Sequence, residues 1–125
     1  MLGDRDAHAT VAVADIARAR RFYEVTLGLT EVSHEGSEAV VYATGATKLL
    51  VYHSQFAGTS QATAVTWAVG SDVDRLAAVL KANGVAFERY DMPAMTHEGD
   101  VHVSAGMRVA WFRDPDGNIH SLVNR

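Results

Sequence analysis

The strongest constraint on this chain is an internal repeat. Val11 to Ala14 is a short apolar run that stops at Asp15, and Ile16, Ala19, Tyr23 and Leu27 then recur at helical spacing, the mark of an amphipathic helix. Asp15 stands where a carboxylate can accept the free amide protons of a first turn, and Gly28 where a helix stops. The second half repeats the pattern: Val65 to Val69 ends at Ser71-Asp72, and Val73, Leu76, Val79, Leu80 and Gly84 follow. Laying Asp15 on Asp72 puts Ile16 on Val73 and Arg18 on Arg75, and Gly28 meets Gly84 after a one-residue offset. A repeated unit of this kind cannot bury its apolar face alone and pairs with its copy.

Strand-like residues follow each helix, Leu29 to Ser33 in one half and Val85 to Tyr90 in the other. Ala39 to Ala43 and Lys48 to His53 read as one hairpin, Arg108 to Phe112 and Ile119 to Val123 as another. The second is closed by Asp114-Pro115-Asp116-Gly117-Asn118, where proline presets one backbone angle and glycine supplies a positive one. The expected fold is α+β, two βαβββ modules of about residues 6–54 and 62–125 within one domain, 1–125. Ser54 to Gln61 reads as the linker. Asp91 to Gly106 reads as a long loop, either a lid or a disordered segment.

Composition narrows the function. The chain has no cysteine, which removes disulfides, thiolate metal sites and cysteine nucleophiles. A net charge of −4, with no basic cluster beyond Arg18, Arg20 and Arg21 on a helix face, argues against nucleic acid. No apolar run has a membrane-spanning length, so the expected setting is cytoplasmic, away from membranes.

Two stretches carry a family resemblance. Asp15-Ile-Ala-Arg-Ala-Arg-Arg-Phe22-Tyr23-Glu24 with Leu27-Gly28-Leu29, and Ala110-Trp111-Phe112-Arg113-Asp114-Pro115-Asp116-Gly117-Asn118, resemble the opening and the last hairpin of the vicinal oxygen chelate superfamily. Glyoxalase I, extradiol dioxygenases, fosfomycin-resistance and bleomycin-resistance proteins belong to it. The resemblance covers essentially the whole chain and speaks to the fold more than to the reaction. It implies that the curled mixed sheets of the two modules surround a cleft, and that a homodimer completes this small-molecule cavity. In metal-dependent members it also implies four inward His, Gln or Glu ligands holding a divalent ion as a Lewis acid.

The expected ligand positions can be tested one by one. Seven residues before Asp15 lies His8, which matches. The fourth-strand position falls near Leu49, the fifth-strand position at Ala64 or Val65, and the last at Ser121, three residues beyond Asn118. Leucine, alanine and valine offer no donor, and a neutral serine hydroxyl is a poor ligand beside carboxylate or imidazole. One ligand of four does not hold a divalent ion, so no metal site and no cofactor is expected. His53, of the same strand parity as Leu49, is the one residue that could join His8; His120 has the opposite parity to Ser121.

The remaining candidates stay open between two roles. His8 and His53 are either core and rim histidines or acid–base groups for metal-free chemistry. Trp67 shares parity with Val65 and Val69 and is expected to pack against a helix, leaving Thr66 to the cleft. Trp111 could face either side. Tyr90, Met92 and Met95 could form an adaptable apolar lid or a dimer contact, and Phe56 in the linker poses the same choice. His97 and His102, five apart with Gly99 between, do not form the helical zinc motif and read as solvated loop histidines. The expected substrate-binding set is thus His8, His53, Phe56, Thr66, Tyr90, Met92, Met95, Trp111 and Ser121. The leading reading is a binder of a small organic molecule, akin to the bleomycin-resistance branch. A metal-independent lyase, isomerase or cyclase using His8 or His53 is the alternative, and a metal-dependent glyoxalase or dioxygenase the weaker one.

Overall fold

Along the strands of the first half, every second residue is driven inward. In the computed structural model, which describes residues 1–125, β1 (Ala9–Val13) buries Val11 and Val13. β3 (Ala39–Thr44) buries Val40 and Tyr42, and β4 (Thr47–His53) buries Leu49 and Val51. With the exposed β2 (Thr30–Glu35) these strands form a sheet of order β1-β4-β3-β2, β1 running parallel to β4 and the other neighbours antiparallel. The buried set meets Ala19 and Tyr23 of the helix.

That helix is not the single α-helix expected from the apolar spacing. α1 spans only Ile16–Arg20, and Arg21–Thr26 continues as a π-helix, with the Leu27 amide donating to the Phe22 carbonyl five residues back at 2.9 Å. Asp15 caps α1 as its position suggested, accepting from the Arg18 amide at 3.2 Å. Its counterpart Asp72 does not cap α2 (Val73–Ala82) and instead pairs with the Arg75 guanidinium at 3.0 Å. Gly28 and Gly84 both take positive φ, 75° and 91°, as helix-terminating glycines do.

The second half builds β5 (Thr63–Ala68), β9 (Met107–Arg113) and β10 (Ile119–Val123), with β5 parallel and β9 antiparallel to β10. β6 is only Phe87–Glu88, held on β9. The stretch read as a long loop contains a hairpin, β7 (Thr96–Glu98) and β8 (Val101–Ser104), which extends the sheet beyond β9. Its tight connections use Gly99 and Gly106 at positive φ. The second module is therefore a βαβββ unit with an added hairpin. The two-module α+β architecture is as expected.

Phe22, Leu27 and Trp67 pack against both apolar clusters, so the helical layer runs continuously over the two sheets. The halves are also joined by a buried polar chain. The Trp67 indole N–H donates to Nδ1 of His120 at 3.0 Å, which fixes the neutral tautomer with its proton on Nε2. Nε2–H then donates to the Tyr23 hydroxyl at 3.1 Å, and that hydroxyl donates to Asp114 Oδ2 at 2.7 Å. Asp114 Oδ1 accepts the Asp116 and Asn118 amides, and the Asn118 side-chain amide donates to Asp114 and to the Ala12 carbonyl of β1. Tyr23, Asp114, Asn118 and His120 are thus each paired within this buried chain, as a low-dielectric interior demands. Burial, and then the Asp114 charge, raises the Tyr23 hydroxyl pKa far out of reach. Burial alone lowers His120 to about 4.

Candidate functional site

The helices cover one face of each sheet, and strand parity decides what the other face presents. On β9, Ala110 and Phe112 lie in the core, which turns Trp111 to the open face. On β10, His120 and Leu122 face the core side, leaving Ile119 and Ser121 on the open side with Trp111 paired across from Ser121. On β5, Val65 and Trp67 pack inward, as read from the sequence, and Thr66 faces out. The Ser121 hydroxyl donates to the Thr66 hydroxyl at 3.1 Å.

An open cleft of 610 Å³ lies on this face, walled by Tyr90 and Trp111, with Thr63, Arg113 and Ile119 and the linker segment from Gly58 to Ala62. The two aromatic rings meet edge to face, centroids 5.1 Å apart at 77°. The Trp111 indole donates to the Thr63 hydroxyl at 3.3 Å. Arg113 is already engaged by the Glu88 carboxylate and donates to the Gly117 carbonyl. Gly58 holds the linker in place: at φ 76°, a Cβ there would sit 2.7 Å from the Asp116 carbonyl oxygen. Linker and hairpin turn therefore touch backbone to backbone at the cleft edge.

Tyr90 is fixed by two histidines. Its amide donates to Nε2 of His102 at 2.9 Å, and its carbonyl faces Nε2 of His97 at 3.0 Å. His102 is fully buried on β8, in edge-to-face contact with Trp111 and His97. Because its Nε2 accepts, the proton of the neutral ring is on Nδ1. That atom is buried with only the Val109 backbone of the paired strand near it and no bond of good geometry. Burial first, then the neighbouring His97, lowers the His102 pKa. The reading of His97 and His102 as solvated loop residues is thereby corrected: they are strand residues that clamp the wall of the cleft. The alternation of Val101, His102 and Val103 between Gly99 and Gly106 is the signal that would have shown it.

The expected site residues separate into two groups. Tyr90, Trp111, Thr66 and Ser121 share the open face of the second sheet, and Met92 and Met95 line a smaller adjoining hollow of 370 Å³ with His97. Phe56 is exposed in the linker just before the cleft-lining segment. His8 and His53 lie elsewhere. Val13 pairs with His53 across the parallel β1–β4 ladder, so His8, five residues before Val13 and just ahead of β1, is roughly 16 Å from it at the usual rise per residue. His53 is exposed and its Nδ1 lies 3.2 Å from Glu38 Oε2. Within one chain the two histidines do not converge on a shared ligand.

The ligand positions of the superfamily can now be judged in place. Leu49 is a buried core residue, so the outward position of β4 is Leu50, which pairs with Thr10 and offers no donor either. Val65 is core, and Ser121 spends its hydroxyl proton on Thr66. No three His, Cys, Asp or Glu side chains come together anywhere in the chain. The residues present do not fit a four-ligand divalent centre.

Residues 6–121 match the family model described as the Glyoxalase/Bleomycin resistance protein/Dioxygenase superfamily, and the chain belongs to that superfamily. Among solved structures it resembles a glyoxalase family protein from Enterococcus faecalis, with a TM-score of 0.72 and 18% identity over 98% of this chain and 99% of that one. The lactoylglutathione lyase of Agrobacterium tumefaciens gives 0.69 and 18% over 96% and 92%. The fosfomycin resistance protein FosX of Mesorhizobium loti gives 0.67 and 19% over 98% and 92%. At these identities the likeness establishes the fold. Among curated protein sequences none is significantly similar to the chain. No helix is long and apolar enough to cross a membrane.

Proposed function

We propose that this protein binds a small organic molecule in the Tyr90–Trp111 cleft without the metal centre used by chelating members of its superfamily. One observation carries the reading: Tyr90 and Trp111 meet edge to face over an open cleft whose polar lining is neutral apart from Arg113, which Glu88 already engages. Aromatic and apolar walls with a few convergent polar groups are what small-molecule sites are made of. Trp111 and Tyr90 offer ring edges and faces to a planar ligand, and Thr63, Gln61 and Ser60 offer neutral hydrogen bonds along the linker side. The open face of the first sheet, with Tyr52 exposed, suits a second copy that closes the cavity in a cytoplasmic homodimer.

Native mass spectrometry of the purified protein, with elemental analysis of the same sample, tests this directly. The expected result is a co-purified or titrated small organic molecule whose binding is lost in Trp111→Ala, with metal far below one ion per chain. Stoichiometric divalent metal would overturn the metal-free reading, and binding unaffected by Trp111→Ala would remove the cleft from it.

A further inference from the structure

A second cavity lies on the opposite side of the sheets from the cleft, at the seam where the two apolar cores meet. It encloses 280 Å³, and 10 of its 13 lining residues are hydrophobic. Its floor is Trp67, Phe112 and Leu122 of the second sheet; Leu76, Val79 and Leu80 of α2 form one wall, and the chain from Val25 to Leu29 forms the other. The hollow is open to solvent along one side, so a ligand can reach its apolar floor without unfolding either core.

Three features give it the character of a site. The π-helical segment ends in the wall, with Val25 and Thr26 lining the cavity; π-turns are rare and gather at functional positions. Val25 is 75% exposed and Val79 46% exposed, so a pair of small apolar side chains stands at the entrance. With the Trp67 indole N–H taken up by His120, the polar side chains left in the lining are Asn83 and Thr26. Asn83 spends one amide proton on a long 3.4 Å bond to the Thr26 carbonyl, which leaves its amide oxygen to accept from a ligand.

We propose that this seam is a second binding site, for a compact apolar molecule carrying one hydroxyl or similar hydrogen-bonding group. An apolar cavity of about 150 Å³ accepts benzene, so 280 Å³ corresponds to on the order of ten heavy atoms. The ring or chain lies on Trp67 and Leu80, and the polar end meets Asn83 at the mouth.

The chain has two tryptophans, one in each site, so the two indole N–H resonances report the sites separately. Titration of the ¹⁵N-labelled protein with 4-propylphenol is expected to move the Trp67 indole resonance saturably and to leave that of Trp111 in place. Leu80→Phe fills the hollow and is expected to weaken the effect roughly tenfold or more. Val79→Phe narrows the entrance from an exposed position that the core does not depend on, and serves if Leu80→Phe unfolds. The proposal fails if only Trp111 responds, or if neither resonance moves. It also fails if Trp67 shifts on simple dilution without the phenol, which would mean that a second copy covers the seam. Loss of binding in the Tyr90–Trp111 cleft leaves this result untouched, because that reading is followed at the other indole.

Discussion

Lowering the pH from 7 to 5 should destabilise this protein through one buried imidazole. His120 accepts the Trp67 indole proton at Nδ1 and donates from Nε2 to Tyr23. A second proton would have to go on Nδ1, where it would face the indole N–H donor to donor. Burial holds the folded-state pKa at about 4 against an ordinary 6.5. The folded state therefore resists protonation while the unfolded state does not. The stabilisation is fully present above pH 6.5, falls as the unfolded chain takes up its proton, and is exhausted near pH 4. Linkage across that shift amounts to about 3 kcal/mol in all, and about 2 kcal/mol of it is lost by pH 5.

The assay is urea unfolding at pH 7 and pH 5 on the wild type and on His120→Gln, whose amide can still accept and donate in the chain. His102, also lowered by burial, contributes the same slope to both proteins and cancels. The carboxylates of Glu31, Asp72 and Asp74 are held below the ordinary carboxylate range by their bonds to Arg20, Arg75 and Arg108, so their loss falls largely below the window. The wild type should lose about 2 kcal/mol more than the variant between the two pH values. Equal losses would refute the idea that this histidine is held neutral by the fold.

Tyr23→Phe should cost about 2–3 kcal/mol in the same unfolding assay at pH 7, because it strands the His120 proton and takes a donor from Asp114. Gly58→Ala should cost about 1–3 kcal/mol, since it combines a left-handed backbone with a Cβ driven into the Asp116 carbonyl; a melt at wild-type temperature would contradict the close approach. Protonation of His102 would replace its acceptor with a donor facing the Tyr90 amide. The Tyr90 amide resonance should therefore titrate below the usual histidine range, with Trp111 emission following it and His102→Gln abolishing both changes.

The repeat was legible because its signals are local: the Asp15 cap, the two stop glycines and the Asp114–Asn118 turn each act within a few residues, and each occurs where the sequence places it. The π-helix was not legible, because the apolar spacing of Phe22, Tyr23 and Leu27 suits an α-helix equally well. Its wider turn becomes visible only where Phe22 and Leu27 must touch both cores at once. The β7–β8 hairpin was hidden by its shortness. Three and four residues carry little periodicity, and Met92, Pro93 and the histidines read as loop chemistry until Val101 and Val103 are seen to alternate.

A parity argument explains why family likeness reached the fold and stopped short of the reaction. Of the recognisable residues, Tyr23, Asp114 and Asn118 join His120 in the buried chain that locks one module to the other on the helix side of the sheets. The opposite face, where the proposed cleft lies, is built from the intervening positions of the same strands, Ser121 beside His120 and Trp111 beside Phe112. Neighbouring strand residues point to opposite faces, so the two sets are constrained by different demands. Substituting a ligand position leaves the locking chain intact, and a chain can keep the whole scaffold after its outward face has lost every group that would hold a metal. On the proposed reading, the choice of ligand therefore rests on the residues that line the open cleft, Tyr90 and Trp111 foremost, and not on the locking chain.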